Sequence, residues 1–382
     1  MYKRQDFGLC LSKFKEFYSF PTDAPRYSIE EYTSIGLSPN IPEMYDRTKE
    51  KLCDAILVSH PHTDHIGATA LIREDIPVFV GETAFRLYDG SMSSKAKQNL
   101  AVKEYQEKSK GRYRTFRTGQ VLNFGEGLDV LPHHVDHSVP GSYAFVLKTS
   151  SGIILYTGDF RRHGVVSDYT ESLIRELEKL DEPVQAMICE GTHIDGGGVP
   201  ITEAEVKDYT IRAIESACRG GLVIASTATN DIDRIRMFWE ISNELGKEMV
   251  VAPPIAIALM SVEGDPKLGR VPKVGTRSQE VRVFLRELPY HPSNKRAKML
   301  DQRYGSEIFV DSAGLKGRAE SCLFLDSWEV TPIRYLDPPP GSIYILSQTE
   351  PFEEEMELDE RRLKNWLSVY GIPLYRLSLI HI

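Results

Sequence analysis

The stretch AILVSHPHTDH, from Ala55 to His65, joins a short apolar run to three histidines and one aspartate. The run AILVS is short, continuous and apolar, which predicts a buried β-strand. On an extended chain, His60 and His62 point to the same side, because side-chain direction alternates with a period of two. Asp64 and His65 lie where a helix is predicted to begin, so the chain turns there and directs them elsewhere. One strand end is therefore predicted to present two groups of polar side chains.

These side chains are typical metal ligands. Imidazole nitrogen and carboxylate oxygen suit Zn²⁺ and similar divalent ions. A single buried histidine is usually a hydrogen-bonded core residue. Three histidines and an aspartate within six residues could not lie unpaired in an apolar core without several kcal/mol of desolvation cost. The stretch therefore predicts metal binding.

Two further groups follow predicted strands. The first is HHVDHS, from His133 to Ser138, and the second is YTGDF, from Tyr156 to Phe160. Loop aspartates are common, so Asp159 alone would be a weak signal. Its place at a strand end, like that of the histidine groups, makes it a candidate ligand together with His137.

Composition limits the class of protein. The chain has 382 residues, of which 41% are hydrophobic and 26% charged, which excludes wholesale disorder and a disulfide-built miniprotein. The five cysteines form no CxxC and predict reduced thiols in a cytoplasmic protein. No apolar stretch is long enough to span a membrane, so no membrane contact is expected. The net charge of −9 requires any nucleic-acid binding to rest on local charge or on bound cations.

The order of predicted elements indicates an α/β protein with two units. Strands and helices mix up to about residue 199. Within this unit, DFGLC (residues 6–10) is expected to end an early strand. Residues 20–50 are rich in proline and tyrosine and are expected to form a surface excursion, and residues 95–117 to form mostly helix followed by loop. A second unit begins near residue 200 with the capping box of Thr202 and Glu205. It continues as strand, helix and strand through LVIAS (Leu222–Ser226) and EMVVA (248–252), a spacing that predicts a parallel sheet.

These motifs, taken in order, resemble those of a known protein family. HPHTDHIG resembles the HxHxDH signature of the metallo-β-lactamase superfamily, and His137 and Asp159 match its next two ligand motifs in order. The phrases VDHSVPGSYAF and ICEGTH look like the nucleic-acid-processing β-CASP branch, whose members are ribonuclease J-like. The resemblance implies a metallo-β-lactamase αββα sandwich over residues 6–199. It also implies an inserted β-CASP domain, a parallel sheet with helices, over residues 200–376.

The resemblance also implies the roles of individual residues. His60, His62 and His137 would hold one cation, and Asp64, His65 and Asp159 a second, with Asp159 bridging. The implied cofactors are two divalent ions, namely Zn²⁺. Two such ions about 3.5–4 Å apart can lower the pKa of a bridging water toward about 7 for attack on phosphorus.

Three acidic residues are further implied to serve catalysis. Asp64 belongs to the signature itself. Asp6, in DFGL, looks like the family's early aspartate that orients a ligand. Glu190, in ICEGT, matches the acidic residue that follows the fourth motif.

The function implied is that of a metal-dependent ribonuclease that hydrolyses phosphodiester bonds of single-stranded RNA. The sequence does not distinguish endonucleolytic from exonucleolytic cleavage. It is also compatible with a homodimer. One alternative keeps the metals and changes the substrate to DNA or a small ester, although small esters do not need the insert. Another is a noncatalytic RNA-binding member of the same fold.

The two termini carry a separate expectation. Residues 1–5 (MYKRQ) and 377–382 (LSLIHI) resemble non-native scars at the edges of an assembled sequence. The family continues after the insert with further histidine motifs that have no match here. We therefore expect a domain incomplete at both ends and a fragment with little activity on RNA.

A basic tract offers a weaker signal. Residues 95–117 carry eight lysines and arginines interleaved with Tyr105 and Tyr113. Such a tract can contact a nucleic-acid backbone and stack bases. Because Glu104 and Glu107 lie within it, a solvated helix is the favoured interpretation.

Overall fold

A computed structural model describes residues 6–10, 13, 16–17, 28–95, 100–125, 127–191, 202–327, 333–347 and 354–377. The chain divides into two compact units, Met1–Thr192 and His193–Ile382. The expected boundary at residues 199 and 200 lies outside the described residues. No helix in these ranges has the length and apolar character needed to cross a membrane.

The first unit contains two sheets. The smaller one is parallel, with the strand order β1-β2-β3. The larger one has the order β4-β5-β6-β7-β8 and is antiparallel except for the parallel pair β7 and β8. The strands are β1 Ile56–Val58, β2 Val78–Gly81, β3 Tyr113–Phe116, β4 Leu122–Asn123, β5 Leu128–His134, β6 Tyr143–Thr149, β7 Gly152–Tyr156 and β8 Val184–Ile188.

Short helices connect and cover these sheets. The α-helices are α1 Ile29–Ser34, α2 Thr63–Ile66, α3 Glu82–Ser94, α4 Leu100–Glu104 and α5 Ser167–Leu177. A π-helical turn at Tyr105–Ser109 continues α4. Single 3₁₀ turns occupy Pro42–Met44, Thr69–Leu71 and Lys110–Arg112.

Alternating strand residues build three apolar layers. The layer between the two sheets contains Leu57, Phe79 and Phe116 from the small sheet and Val130 and Phe145 from the large one. The next residues along the same strands point the opposite way, because side chains alternate across a strand.

These opposite faces are covered by helices. Val58 and Val80 of the small sheet pack in one cluster with Tyr88 of α3. On the large sheet, Val146 packs in a cluster with Leu173 of α5. The resulting order of layers is helix, sheet, sheet and helix, so the predicted αββα sandwich is confirmed.

The second unit is a single parallel sheet with helices. Its strand order is β12-β11-β10-β13-β9-β14-β15, and every pair is parallel. The strands are β9 Val223–Ser226, β10 Glu248–Val251, β11 Arg282–Phe284, β12 Phe309–Val310, β13 Cys322–Asp326, β14 Ile343–Leu346 and β15 Leu374–Arg376. The helices are α6 Glu203–Ala217, α7 Ile232–Glu244, α8 Pro253–Val262, α9 Lys295–Tyr304, α10 Ser312–Lys316, α11 Ile333–Leu336 and α12 Glu354–Tyr370.

Sequence signals account for this second architecture. Every residue of the central strands β9, β13 and β14 is buried, as expected for strands covered on both faces. Thr202 and Glu205 form the predicted capping box: the Glu205 amide donates to Thr202 Oγ1 at 3.3 Å, and Glu205 Oε2 accepts from the Thr202 amide at 2.8 Å. The expected additional parallel α/β domain is thus confirmed.

Three local expectations were wrong. The described residues 6–10 contain no strand: Asp6 and Phe7 form a turn, and the Phe7 amide donates to the His65 carbonyl at 2.9 Å, so these residues pair with the turn that carries Asp64 and His65. Residues 113–116, expected as a loop, form β3 because Tyr113 and Phe116 are buried beside β2. Of residues 20–50, expected as a surface excursion, the described part from residue 28 buries Tyr32 and Met44 in the core.

The terminal segments expected to be scars are mostly outside the described residues, which exclude 1–5 and 378–382. Leu377 is described. It is buried, and its amide donates to the Leu346 carbonyl at 2.8 Å. This residue therefore continues the backbone pairing of β15 beside β14.

Candidate metal centre

Three imidazoles converge at the end of β1. His60 Nε2 lies 2.9 Å from His62 Nδ1, which lies 3.3 Å from His137 Nε2. One ligand atom from each of the three residues lies within 4.8 Å of the others. Tetrahedral zinc with Zn–N bonds of 2.0–2.1 Å places its nitrogen ligands about 3.3 Å apart. The three nitrogens therefore fit the ligand sphere of one such cation.

Burial keeps these imidazoles neutral. The loss of water around them holds the pKa of His60 and His137 well below the ordinary value, and it also lowers the pKa of His62. Repulsion between neighbouring imidazoles, when these are protonated, lowers the pKa of His60 and His137 further. Because neutral imidazole is the form that binds metal, all three residues are ready ligands at neutral pH.

A second group of polar side chains adjoins the first. His65 Nε2 lies 3.5 Å from Asp64 Oδ2 and 3.5 Å from Asp159 Oδ2. The same Asp159 oxygen lies 3.9 Å from His60 Nε2. Asp159 therefore faces both histidine groups, which is the position expected of a bridging ligand.

Asp6 holds His65 from behind. Asp6 Oδ2 lies 2.7 Å from His65 Nδ1, and its carboxylate also accepts from the amide and the hydroxyl of Ser59. The Asp6 side chain is only 2% exposed, so these contacts satisfy an otherwise costly buried carboxylate. With Nδ1 occupied by Asp6, the Nε2 atom of His65 faces Asp64 and Asp159.

The carboxylates around His65 favour a positive charge among them. Burial opposes protonation of His65, but hydrogen bonds to Asp159, Asp6 and Asp64 outweigh it and raise its pKa to about 12. A divalent cation supplies the same kind of charge at this place. The His65 imidazole and the carboxylates of Asp64 and Asp159 are therefore the candidate donors to a second ion.

A glycine allows the Asp159 loop to reach the end of β1. Gly158 has a positive φ of 57°. A Cβ at this position would lie 2.8 Å from the Tyr143 carbonyl oxygen and 2.9 Å from the Ser59 Cβ. Only glycine combines this conformation with so close an approach.

Glu190 contacts the backbone of the loop that carries Asp159. Its Oε1 accepts from the Phe160 amide at 3.3 Å, and its own amide donates to Thr157 Oγ1 at 3.3 Å. These contacts lie immediately before and after the glycine and aspartate. Glu190 is thus placed to hold the Asp159 loop.

Two interactions around the ligands were not foreseen in the sequence. Ser59 Oγ lies 3.0 Å from His60 Nδ1 and donates to Asp6, so it connects the two ligand groups. Asp136, next to His137, is completely buried and paired with Arg161. The sequence signal that could have indicated this buried pair is the position of Asp136 in VDHS, between the apolar Val135 and the candidate ligand His137.

The basic tract is largely neutralised within the first unit. Lys108 pairs with Glu104 at 3.0 Å, and Lys110 pairs with Asp89 at 2.7 Å. Arg112 is buried and donates to backbone carbonyls. Lys97 lies outside the described residues. These pairings favour the interpretation of a charged surface and a structural arginine.

A family comparison agrees with this geometry. Residues 33–191 match the family model described as Metallo-beta-lactamase superfamily. This part of the chain is therefore similar to metallo-β-lactamase superfamily domains. The match includes the histidine signature and the strand ends that carry His137 and Asp159.

The chain has distant relatives that are named as ribonucleases. Ribonuclease J of Mycolicibacterium smegmatis is 26% identical over 215 residues, which are 55% of this chain and 36% of the relative. Ribonuclease J of Pyrococcus abyssi is 28% identical over 266 residues, which are 66% of this chain and 54% of the relative. The chain spans about half or less of the length of these relatives.

One solved structure shares the fold of nearly the whole chain. It is described as a protein of unknown function from Enterococcus faecalis, and it has a TM-score of 0.69 at 18% identity. The likeness covers 99% of this chain and 83% of that protein. The chain therefore combines the metallo-β-lactamase fold with an additional parallel α/β domain. The solved structure shares the fold of both parts.

Proposed function

We propose that this protein is a metal-dependent ribonuclease that hydrolyses phosphodiester bonds of single-stranded RNA. The observation that carries the proposal is the position of Asp159 Oδ2, within 3.9 Å of His60 in one ligand group and 3.5 Å of His65 in the other. Two adjacent cations sharing a carboxylate suit phosphodiester hydrolysis. The names of the distant relatives support RNA as the substrate class.

The six candidate ligands divide between two ions in this proposal. His60, His62 and His137 would hold one Zn²⁺, and Asp64 and His65 would hold the other, with Asp159 shared. When bound, such ions neutralise charge on the phosphodiester and lower the pKa of a coordinated water toward about 7. That local charge gives an acidic chain a means of attracting a polyanion.

The protein's own groups orient the site and handle the proton. Asp6 fixes the ring of His65 through Nδ1, and Glu190 holds the Asp159 loop through the Phe160 amide. Partial loss of water around the Asp64 carboxyl raises its pKa. The hydrogen bond and the charge of His65 outweigh this effect, so the pKa of Asp64 is lowered overall. Asp64 is therefore ionised at neutral pH, and its side chain is 66% exposed. We assign it the role of accepting the proton from the attacking water.

The proposal is tested with short single-stranded RNA labelled at either end and DNA of the same sequence. The protein is stripped with a chelator, dialysed, and assayed with and without added Zn²⁺ or Mn²⁺. We expect only weak RNA cleavage, in line with the little activity expected of this fragment, and we expect that this cleavage needs the added metal and is abolished by His62→Ala. His291→Ala is the matched control, because His291 is an exposed loop histidine of the other unit.

The outcomes separate the competing functions. Metal-dependent cleavage of DNA alone would transfer the activity to the DNA-directed alternative. RNA binding without cleavage by the zinc-loaded protein would contradict the hydrolase proposal and support a noncatalytic role.

A further inference from the structure

A buried ion pair lies directly beside the candidate metal centre. The Asp136 side chain is 0% exposed and the Arg161 side chain 10% exposed. Arg161 Nε donates to Asp136 Oδ1 at 3.1 Å, and the Gly164 amide donates to Asp136 Oδ2 at 2.8 Å. Both carboxylate oxygens of Asp136 are thus bound to the segment that follows Asp159. Charge-assisted hydrogen bonds of this kind fix geometry more strongly than neutral ones.

Main-chain bonds tie the same two segments together. The Arg161 amide donates to the Asp136 carbonyl at 2.7 Å. Thr170 of α5 accepts from the Asp136 amide at 2.9 Å and donates to the Arg161 carbonyl at 3.0 Å. Side chain and backbone of both residues are therefore held at once, and α5 anchors them.

Asp136 and Arg161 are each close in sequence to a candidate metal ligand. Asp136 immediately precedes His137, and Arg161 comes two residues after Asp159. The pair therefore joins the loop that carries His137 to the loop that carries Asp159. In the proposed function, His137 holds one cation and Asp159 is shared by both.

We propose that Asp136 and Arg161, with Gly164 and Thr170, form a clamp that sets the spacing between His137 and Asp159 and so controls metal affinity. The clamp residues act through the two ligands and are positioning residues. The inference rests on the proposed metal centre, and it adds a determinant of cation uptake that lies outside the ligand set.

The absence of a side chain at Gly164 is part of the clamp. A Cβ there would lie 2.4 Å from Asp136 Oδ2 and 2.2 Å from Arg161 Nε. Substitution with alanine would therefore force the ion pair apart without changing any charge. This gives a steric test that is independent of removing the charged groups.

Two variants disrupt the clamp by different means. Gly164→Ala displaces the pair sterically, and the double variant Asp136→Asn/Arg161→Gln removes both charges without leaving one unpaired. Arg162→Gln is the matched control, since the neighbouring Arg162 forms an ion pair with Glu171 at 2.7 Å but its side chain is 62% exposed. Each protein is stripped with chelator before use.

Three measurements follow on each variant. They are the Zn²⁺ dissociation constant by competition with a chromophoric chelator, the visible spectrum with Co²⁺, and the thermal midpoint of the stripped protein. We expect Zn²⁺ affinity to fall about 10- to 100-fold in both clamp variants, the range for residues that orient ligands, and the Co²⁺ spectrum to change. Arg162→Gln should match the wild type.

Unchanged zinc affinity and an unchanged Co²⁺ spectrum, with only a lower thermal midpoint, would reduce the pair to a structural role and overturn the clamp. Wild-type protein that binds no zinc would overturn the metal centre together with the clamp. Failure of RNA cleavage alongside the expected affinity losses would leave the clamp standing and contradict only the assigned reaction.

Discussion

The Oδ2 atom of Asp159 lies 3.5 Å from the Nε2 atom of His65. The first residue follows β7 of the large sheet, and the second lies in α2 after β1 of the small sheet. The two sheets of the sandwich thus deliver their ligands to one place.

Removing one imidazole should remove its cation. His62→Ala deletes the ring whose Nδ1 lies between His60 and His137. We expect zinc affinity and RNA cleavage to fall at least about 100-fold, beyond the usual cost of losing an orienting partner. Zinc titration and labelled-RNA assays measure both. Equal zinc binding by His62→Ala and His291→Ala would refute this ligand assignment.

Asp6 should tune the metal centre without touching the ion. Asp6→Asn keeps the shape of the side chain but weakens its bond to His65 Nδ1. Loss of an oriented tautomer should weaken zinc binding about 10- to 100-fold. Asp54→Asn is the control, because the Asp54 side chain is 92% exposed. If both variants bind zinc as the wild type does, Asp6 has no positioning role.

The stripped protein should be most stable near pH 6.5. Burial lowers the pKa of His60, His62 and His137 below 6.5, so the unfolded chain binds more protons and stability falls as the pH drops below that value. The raised pKa of His65, about 12, has the opposite sign. The charged His65 therefore contributes its full stabilisation to the free energy of unfolding below pH 6.5. This stabilisation is lost progressively as the pH rises toward 12.

The alkaline arm of this profile depends on His65. In His65→Gln, the stability of the chelator-treated protein should decline less with rising pH above about 6.5. Urea titrations at a series of pH values measure the free energy of unfolding. An alkaline slope identical in wild type and variant would contradict the assigned charge balance.

Gly158 should be more sensitive to substitution than another glycine with a similar backbone. Alanine at either Gly158 or Gly246 adopts a positive φ, at a cost of about 1–2 kcal/mol. Only Gly158→Ala also overlaps the Tyr143 carbonyl and Ser59, since nothing lies within 4 Å of a Cβ at Gly246. We expect Gly158→Ala alone to weaken zinc binding. Equal effects of the two substitutions on zinc affinity would show that the close approach is unimportant.

The sequence predicted the parts of the molecule that depend on local patterns. The run before His60 predicted β1, and strand-end polar groups predicted which histidines meet. Thr202 and Glu205 predicted the start of α6 because a capping box is a local interaction.

Long-range contacts escaped prediction. The sequence YRTF at Tyr113–Phe116 forms a strand only because β2 lies beside it. The pairing of Asp136 with Arg161 likewise depends on two loops that the fold brings together. Asp6 was predicted as an orienting residue through family resemblance, but its turn is determined by bonds to the segment around His65.

The central claim is that these strand ends hold a pair of cations. Its most direct test is the zinc content of folded wild-type protein after equilibrium dialysis against buffered Zn²⁺, determined by elemental analysis. We predict two zinc ions per chain, with His62→Ala and Asp159→Asn each retaining fewer. A folded wild-type protein that retains fewer than two zinc ions would contradict this claim.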